Sequence, residues 1–521
     1  MAIGMVTMGM TNQAAGSRRW WRGLGALGLV LLALAVRLPR LAERPLHTDE
    51  SVNAYLVGQV LDGGRYGYDP QDRHGPALYL ATLPVARAAG ETSFVALREG
   101  TLRLVPMLMG ALAMLLFLGL AAETGAAAAV AAALLWALCA LPVYYSRYYI
   151  HETGFTALTL GMILCGHRAA LRASVGWATL AGLCAGLMLA FKETAVLHYA
   201  ALAATAVVVT LFRPDAGATP GQRLAASARR FFRTGPLLAA GLGVALLVVL
   251  IFYTRLFTNW RELADLVRAF GRFVGRAGGE GHAKNAGYYL ALLGGGWSGL
   301  PFLALAALGG VWAWRRGRPI GRFFLVYFAV IAGIYSAIPY KTPWLALNLW
   351  MPLGVLAGLG VAALFQVSDR TWQRVALGVG AVLFLTALGA DLRVRVYRDA
   401  GGERNPYAYA HTSEDLLRLP LRIEQLAKAH PAGRNLSIAV VMDDAWPLPW
   451  YLRSFPRVGY WQPGQEPIAA DLYITGSDVG PSLQKRTAQM VPEFFGQRPN
   501  ALLILWTPAP KPETGNLKPE T

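Results

Sequence analysis

Charge is the scarcest property of this chain. Of its 521 residues only 15% are Asp, Glu, Lys or Arg, while 55% are hydrophobic. That balance excludes an ordinary soluble protein and points to many membrane spans. Acidic side chains are scarcer than basic ones, 30 against 48, which leaves a net charge of +18. The excess does not mark a nucleic-acid partner, because Lys and Arg fall in short clusters between apolar runs, as they do in cytoplasmic loops. Cysteine is nearly absent. Cys139, Cys165 and Cys184 all lie in apolar runs, so they read as small core residues rather than disulfides or metal ligands. A P-loop, zinc-ligand spacing and a G-x-S-x-G elbow are all missing. A literal G-x-G-x-x-G at Gly23, Gly25 and Gly28 has no strand before it and sits in an apolar run. Its small residues suit close helix packing instead. The chain also lacks a repeat of fixed period and the inverted half-to-half symmetry of many transporters.

What the chain does have is apolar windows of spanning length. They fall at 23–41, 102–122, 126–144, 154–170, 175–191, 194–212, 235–256, 287–311, 321–339, 344–366 and 374–391, and predict about eleven transmembrane helices. No A-x-A cleavage site follows the first window. It reads as an uncleaved span whose arginines snorkel to the interface. With the N-terminus cytoplasmic, the basic clusters at 18–22, 167–172, 213–233, 315–322 and 369–374 are cytoplasmic too. One group breaks this pattern. Arg261, Arg268, Arg272 and Arg276 fall on the other side, interleaved with Leu263, Leu266, Phe270, Phe273 and Val274, as in an amphipathic helix lying on the membrane.

An odd number of spans puts the C-terminus outside, facing the periplasm or exterior of a cell inner or plasma membrane. From about 392 the composition changes. IAVVM (438–442), DLYIT (471–475) and LLILW (502–506) have the character of short buried strands, and 413–430 that of a helix. The expected organisation is a transmembrane domain over 1–391 with an external loop at 42–100, an external α/β domain over 392–510, and a disordered tail at 511–521.

The polar residues of interest share one feature: on this topology all sit at the external ends of spans. Asp49 and Glu50 follow the first. Arg147, His151 and Glu152 follow the third, Lys192 and Glu193 the fifth, and Lys341 the ninth. Arg73 and His74 lie further along the first external loop. Each has a bland alternative. Thr48 could cap a helix whose first turn favours two acids. Lys192 and Glu193 could neutralise one another, and Lys341 could snorkel. The aromatic residues around Arg147 suit an interfacial belt. Taken together, the set is an acid pair plus cations at one lipid–water boundary. A polyprenyl-phosphate sugar presents its phosphate at that boundary. Moving the sugar needs a carboxylate to take the acceptor's proton and cations to stabilise the leaving phosphate. The candidates for binding substrate or its phosphate are Arg147, His151, Lys192, Glu193, Lys341, Arg73 and His74.

The fragments HTDE (47–50), GPALYL (75–80), YYSRYYIHE (144–152), FKET (191–194), YKTPWL (340–345) and NPYAYAHTSEDLLRL (405–419) carry a resemblance. Together they resemble the polytopic GT-C-type glycosyltransferases that use lipid-phosphate sugars. These include the protein O-mannosyltransferases and the aminoarabinose transferases of lipid A. The chain is most similar to a prokaryotic membrane family named for an association with flippase activity. The resemblance implies about a dozen spans, two amphipathic helices in the first external loop, and an inverting single displacement. It implies Asp49 as general base, with Glu50 positioning the acceptor, and Arg147, Lys192 and Lys341 as candidates for the lipid phosphate. No β-trefoil follows the spans, so a protein acceptor is not implied, and the acceptor could be a glycan, lipid or protein. No cofactor or metal is required. The rival readings are a flippase or flippase accessory for lipid-linked sugars, and a scaffold for envelope assembly. Convergence of Asp49, Arg147, Lys192 and Lys341 on one pocket separates the transferase from the scaffold.

Overall fold

The structure is a computed structural model describing residues 23–70, 74–212, 219–276, 278 and 282–509. Helix α1 (Gly23–Arg37) opens it. Helices α2 (Thr48–Leu61) and α3 (Ala77–Ala88) occupy the loop before α4 (Glu99–Gly119) and the short α5 (Ala121–Thr124). Then come α6 (Ala126–Leu138), α7 (Ala140–Ser146), α8 (Glu152–Arg172), α9 (Val175–Phe191) and α10 (Ala195–Leu211). They are followed by α11 (Pro220–Arg233), α12 (Gly235–Tyr253), α13 (Arg261–Arg276), α14 (Tyr288–Gly294) and α15 (Gly299–Arg315). The bundle closes with α16 (Pro319–Ala337), α17 (Ala346–Val367) and α18 (Thr371–Leu392).

Six helical stretches among the described residues are long and apolar enough to cross a membrane, or eight if each bent pair is one span. The windows at 23–41, 175–191 and 194–212 form shorter apolar helices, α1, α9 and α10. The chain is a multi-pass membrane protein. Exposed leucines and valines on α12 and α18 (Leu242, Leu246, Val379, Leu383) have no protein neighbour to cover them, as befits a face turned to lipid. Helix α17, in contrast, is buried without a break from Ala346 to Gly360. It meets α15 closely because both surfaces carry glycine: a Cβ on Gly309 would overlap the Leu356 carbonyl oxygen, and one on Gly360 that of Leu305. Without a hydrophobic drive between helices in lipid, such contact is what holds them together.

Two windows that read as single spans are broken. The pair α6–α7 bends by 61° and α14–α15 by 105°. Pro142 lacks the N–H that would bond back to Leu138, so α6 stops there. The Arg37 guanidinium fills the gap, donating to the Trp136 carbonyl at 2.8 Å and to Ser146 Oγ at 2.7 Å. At the second break Gly296 adopts φ +83°, open to glycine, and the Asp391 carboxylate accepts from Ser298 N–H at 2.9 Å to start α15.

After α18 the chain makes a π-helical turn (Arg393–Arg398) and enters a small α/β domain. A 3₁₀ turn (Glu414–Leu417) capped by Ser413 leads into α19 (Arg418–Ala429). Strands β1 (Ile438–Val441), β2 (Val458–Trp461), β3 (Leu472–Thr475), β4 (Met490–Arg498) and β5 (Ala501–Pro508) form one sheet in the order β2-β1-β3-β5-β4. The first three are parallel, and β5 and β4 are antiparallel additions. The three expected strands lie at its centre, and β2 and β4 complete the edges. Leu419, Ile423 and Ala427 of α19 pack on Ile438, Val440 and Leu505 of the sheet. The tail at 511–521 lies outside the described residues.

The sheet domain sits on the end of the bundle formed by the α1–α4 loop. The hydroxyl of Thr412 donates to the Leu46 carbonyl at 2.6 Å, and the Tyr451 hydroxyl accepts from Leu46 N–H at 2.8 Å. Trp450 Nε1 donates to Glu99 at 2.8 Å.

Candidate active site

Beneath that junction lies a cavity of about 360 Å³. Thr48, Asp49 and Val52 of α2 form one wall, and Ile150, His151 and Glu152, at the start of α8, another. His74 enters from the α2–α3 loop, and Lys192 from the turn after α9. Tyr289, Tyr335, Tyr340 and Trp344 complete the bundle side, and Trp446 of the sheet domain closes the top.

Asp49 owes its place to His47. Thr48 was the expected cap of α2, but His47 takes that position. Its Nδ1 accepts the Asp49 N–H at 3.0 Å, and its Nε2 lies 2.9 Å from the Tyr409 carbonyl. A carbonyl can only accept, so Nε2 carries the proton and Nδ1 is left as the acceptor that the cap needs. The side chain of Asp49 is 46% exposed, and its nearest cation-capable neighbour is His47 Nδ1 at 3.9 Å. Among the described residues nothing hydrogen-bonds its carboxylate. It stands in the first turn of α2.

Lys192 is the one Lys or Arg in the described lining. It pairs with Glu152, another wall residue. Glu193 is fully buried behind the wall. It accepts from the Tyr68 hydroxyl at 2.8 Å and holds His74 Nδ1 at 3.0 Å. The ring of His151 packs edge-on to His74 at 5.2 Å. Burial first, then His74 and Lys192, holds its pKa well below the usual imidazole range. It is therefore neutral, and its buried Nε2 has no partner among the described residues. The Tyr289 hydroxyl is in the same condition. These two unpaired groups and the Asp49 carboxylate are positioned to meet a polar substrate.

Besides Glu193, three sequence candidates lie outside the cavity. Glu50 points away from the cavity into the core. Arg103 Nε and Nη2 each donate to it at 2.8 Å, Tyr149 N–H donates at 2.8 Å, and His47 N–H at 3.1 Å completes a capping box. Burial would raise its carboxyl, but the Arg103 and Arg44 charges and these donors outweigh it and bring the pKa down to about 2. Glu50 thus has no oxygen to offer a substrate. Arg147 turns to the C-terminus of α1, donating to the Arg37 carbonyl at 2.8 Å and to Pro39 at 2.6 Å. Lys341 closes the end of α16 by donating to the Ser336 carbonyl at 3.1 Å and to that of Ile338. Cations at helix C-termini are favoured by the macrodipole, and here that use takes them out of the cavity. Asp49 and Lys192 therefore share the pocket, while Arg147 and Lys341 do not. Arg73 lies outside the described residues.

The sequence by itself does not mark His47, Tyr289, Tyr335, Tyr340, Trp344 or Trp446 as site residues. His47 lies in the HTDE fragment and Tyr340 and Trp344 in YKTPWL, so a sequence signal for them exists. Tyr289 and Trp446 have none, because their approach depends on how the α14 break and the sheet domain fold back. Among the described residues no group of three or more His, Cys, Asp or Glu could hold a metal ion.

Residues 92–221 match the family model described as dolichyl-phosphate-mannose-protein mannosyltransferase. No curated protein sequence matches the chain. Solved structures resemble it over most of its length. One is ArnT from Cupriavidus metallidurans bound to undecaprenyl phosphate, with 16% identity and a TM-score of 0.64 over 92% of this chain and 97% of that one. Another is the archaeal oligosaccharyltransferase AglB from Archaeoglobus fulgidus in complex with an inhibitory peptide and a dolichol-phosphate. It shows 12% identity and a TM-score of 0.57 over 92% of this chain and 74% of that one. The fold is GT-C-like, a helical membrane bundle with a small C-terminal sheet domain.

Proposed function

We propose that the chain is a membrane glycosyltransferase that moves a hexose from a polyprenyl-phosphate donor to an acceptor at the external face. The observation that carries this reading is the Asp49 carboxylate. It is half-exposed and without a hydrogen-bond partner among the described residues, on the wall of a 360 Å³ cavity that also holds Lys192 and His74. The resemblance to a structure bound to undecaprenyl phosphate supports a lipid-linked donor.

In this reading Asp49 accepts the proton of the acceptor hydroxyl as its oxygen attacks the sugar C1. The bond from C1 to the phosphate oxygen breaks on the opposite side, with inversion, and polyprenyl phosphate leaves with the electron pair. Lys192 meets the developing phosphate charge, assisted by His74 and the neutral His151. Glu152 shares Lys192 until donor arrives, so the cation is held in place before binding rather than ordered by it. Trp344 and Trp446 give the sugar apolar walls.

The test is turnover of a radiolabelled polyprenyl-phosphate hexose by purified protein in liposomes supplied with membrane acceptors, wild type beside Asp49→Asn. Label should leave the lipid in wild type and fall by at least about a hundredfold in the variant, the usual scale of a general base. Intact lipid with both proteins would overturn the reading, and lipid crossing the bilayer unchanged would favour a flippase.

A further inference from the structure

A second cavity, about 290 Å³, opens at the same end of the bundle and shares no wall residue with the first. The turn after α1, the end of α7 and the π-helical segment enclose it. Its cations are Arg40, Arg44, Arg103 and Arg147, against Glu43 and the exposed Glu414. Two of the four charges are answered internally. Arg40 pairs with Glu43 at 2.5 Å, and Arg103 with the buried Glu50 at 2.8 Å. Arg147 rests on backbone carbonyls and forms no ion pair among the described residues. Arg44 Nη2 donates to the Arg147 carbonyl at 3.2 Å, and the one carboxylate it reaches among the described residues is Glu50, at 3.6 Å, which Arg103 already engages. The buried Nε of Arg44 has no partner among the described residues.

Buried cations are ordinarily paired, and a buried donor ordinarily meets an acceptor. Here both conditions fail at adjacent residues that face one cavity. Tyr144 and Tyr148 hold the Arg44 guanidinium against their rings, 5.0 and 4.7 Å from their centroids. That fixes its plane, and a guanidinium fixed in this way suits an anion with two oxygens. The turn after α1 exposes Leu38, and α18 exposes Leu383 and Leu385, apolar surface on which an acyl chain can lie.

We propose that this cavity is an anion site for the phosphate of a lipid headgroup and that it seats the acceptor; the second half of the proposal rests on the transferase reading. Tyr148 separates the two cavities. Arg44 lies against its ring, and Trp344, a wall of the Asp49 cavity, stands 6.4 Å from it. Donor and acceptor phosphates are then held on opposite sides of Tyr148, and their like charges do not share a pocket.

Native mass spectrometry of the purified protein in detergent tests the site without turnover. The probes are dioleoylphosphatidic acid and, as the phosphate-free control, dioleoylglycerol. Wild type should retain the phosphatidic acid in preference to the control. Arg44→Gln should weaken retention by about ten-fold, the scale of one charge-assisted hydrogen bond, and Arg44→Lys by less. Asp49→Asn should leave it unchanged. Equal retention by wild type and Arg44→Gln, both with wild-type unfolding midpoints, would overturn the site. Should Arg44→Gln not fold, equal retention by wild type and Arg44→Lys would do so. Displacement by millimolar inorganic phosphate, with no preference for the lipid, would assign the site to free phosphate and overturn the headgroup. Absence of transferase activity from the wild-type protein in the liposome assay, with phosphatidic acid still bound, would remove the acceptor role and leave the anion site.

Discussion

Asp49 and Glu50 are chemically alike and adjacent, yet they face different worlds. Successive side chains leave a helix about 100° apart, so one carboxylate opens on the cavity while the other is driven into the core beside Arg103. His47 decides the register, because its Nδ1 caps the Asp49 N–H. Asn can offer its side-chain oxygen to the same N–H, as Asn does at many helix starts, whereas Ala cannot. His47→Asn should therefore keep most of the wild-type turnover. His47→Ala should lower kcat by about ten-fold, equivalent to roughly 1.4 kcal/mol, with the donor KM changed less than kcat. Identical kcat values for His47→Ala and wild type would show that the cap does not position the base.

Element ends decide which cations face substrate. Arg147, Lys192 and Lys341 all follow apolar runs, and by sequence they are equivalent. Only Lys192 stays in the cavity, since its helix ends against Glu152 on α8, while the other two are drawn to the carbonyls at helix termini. The turn that carries His74 depends on Gly75, where a Cβ would overlap the Ala190 carbonyl oxygen and crowd the Tyr253 hydroxyl. Gly75→Ala should lift this turn from the end of α9 and shift His74 away from Glu193. The expected result is a donor KM raised several-fold with a smaller change in kcat. An unchanged KM in the liposome assay would show that the turn tolerates the methyl group and does not set donor binding.

At the scale of the molecule, the sheet domain and the first loop support each other. Leu46 is held from both sides, its carbonyl by Thr412 and its N–H by Tyr451, and the Tyr409 carbonyl fixes His47. The double substitution Thr412→Val with Tyr451→Phe removes both bonds to Leu46. It should cost about 2 kcal/mol at the ordinary net value of a hydrogen bond. The readout is a lower thermal unfolding midpoint together with reduced turnover, while phosphatidic acid retention stays within twofold. A wild-type midpoint and turnover would mean that the domain sits on the bundle without bracing it.

Apolar run length, basic clusters and the change of composition after 392 determined that this is a polytopic helical protein with a small α/β domain, because spanning a bilayer is a one-dimensional requirement on sequence. The same text singled out Asp49 and Lys192, since an ionisable residue at the end of an apolar run stands out locally. It could not tell that Glu50, Arg147 and Lys341 would be consumed by a buried ion pair and two helix ends. Nor could it show that α6–α7 and α14–α15 would break, or that Trp446 would close the cavity from hundreds of residues away. Those outcomes depend on which partner each polar group finds once the helices pack. That competition among carbonyls, carboxylates and open space exists only in three dimensions.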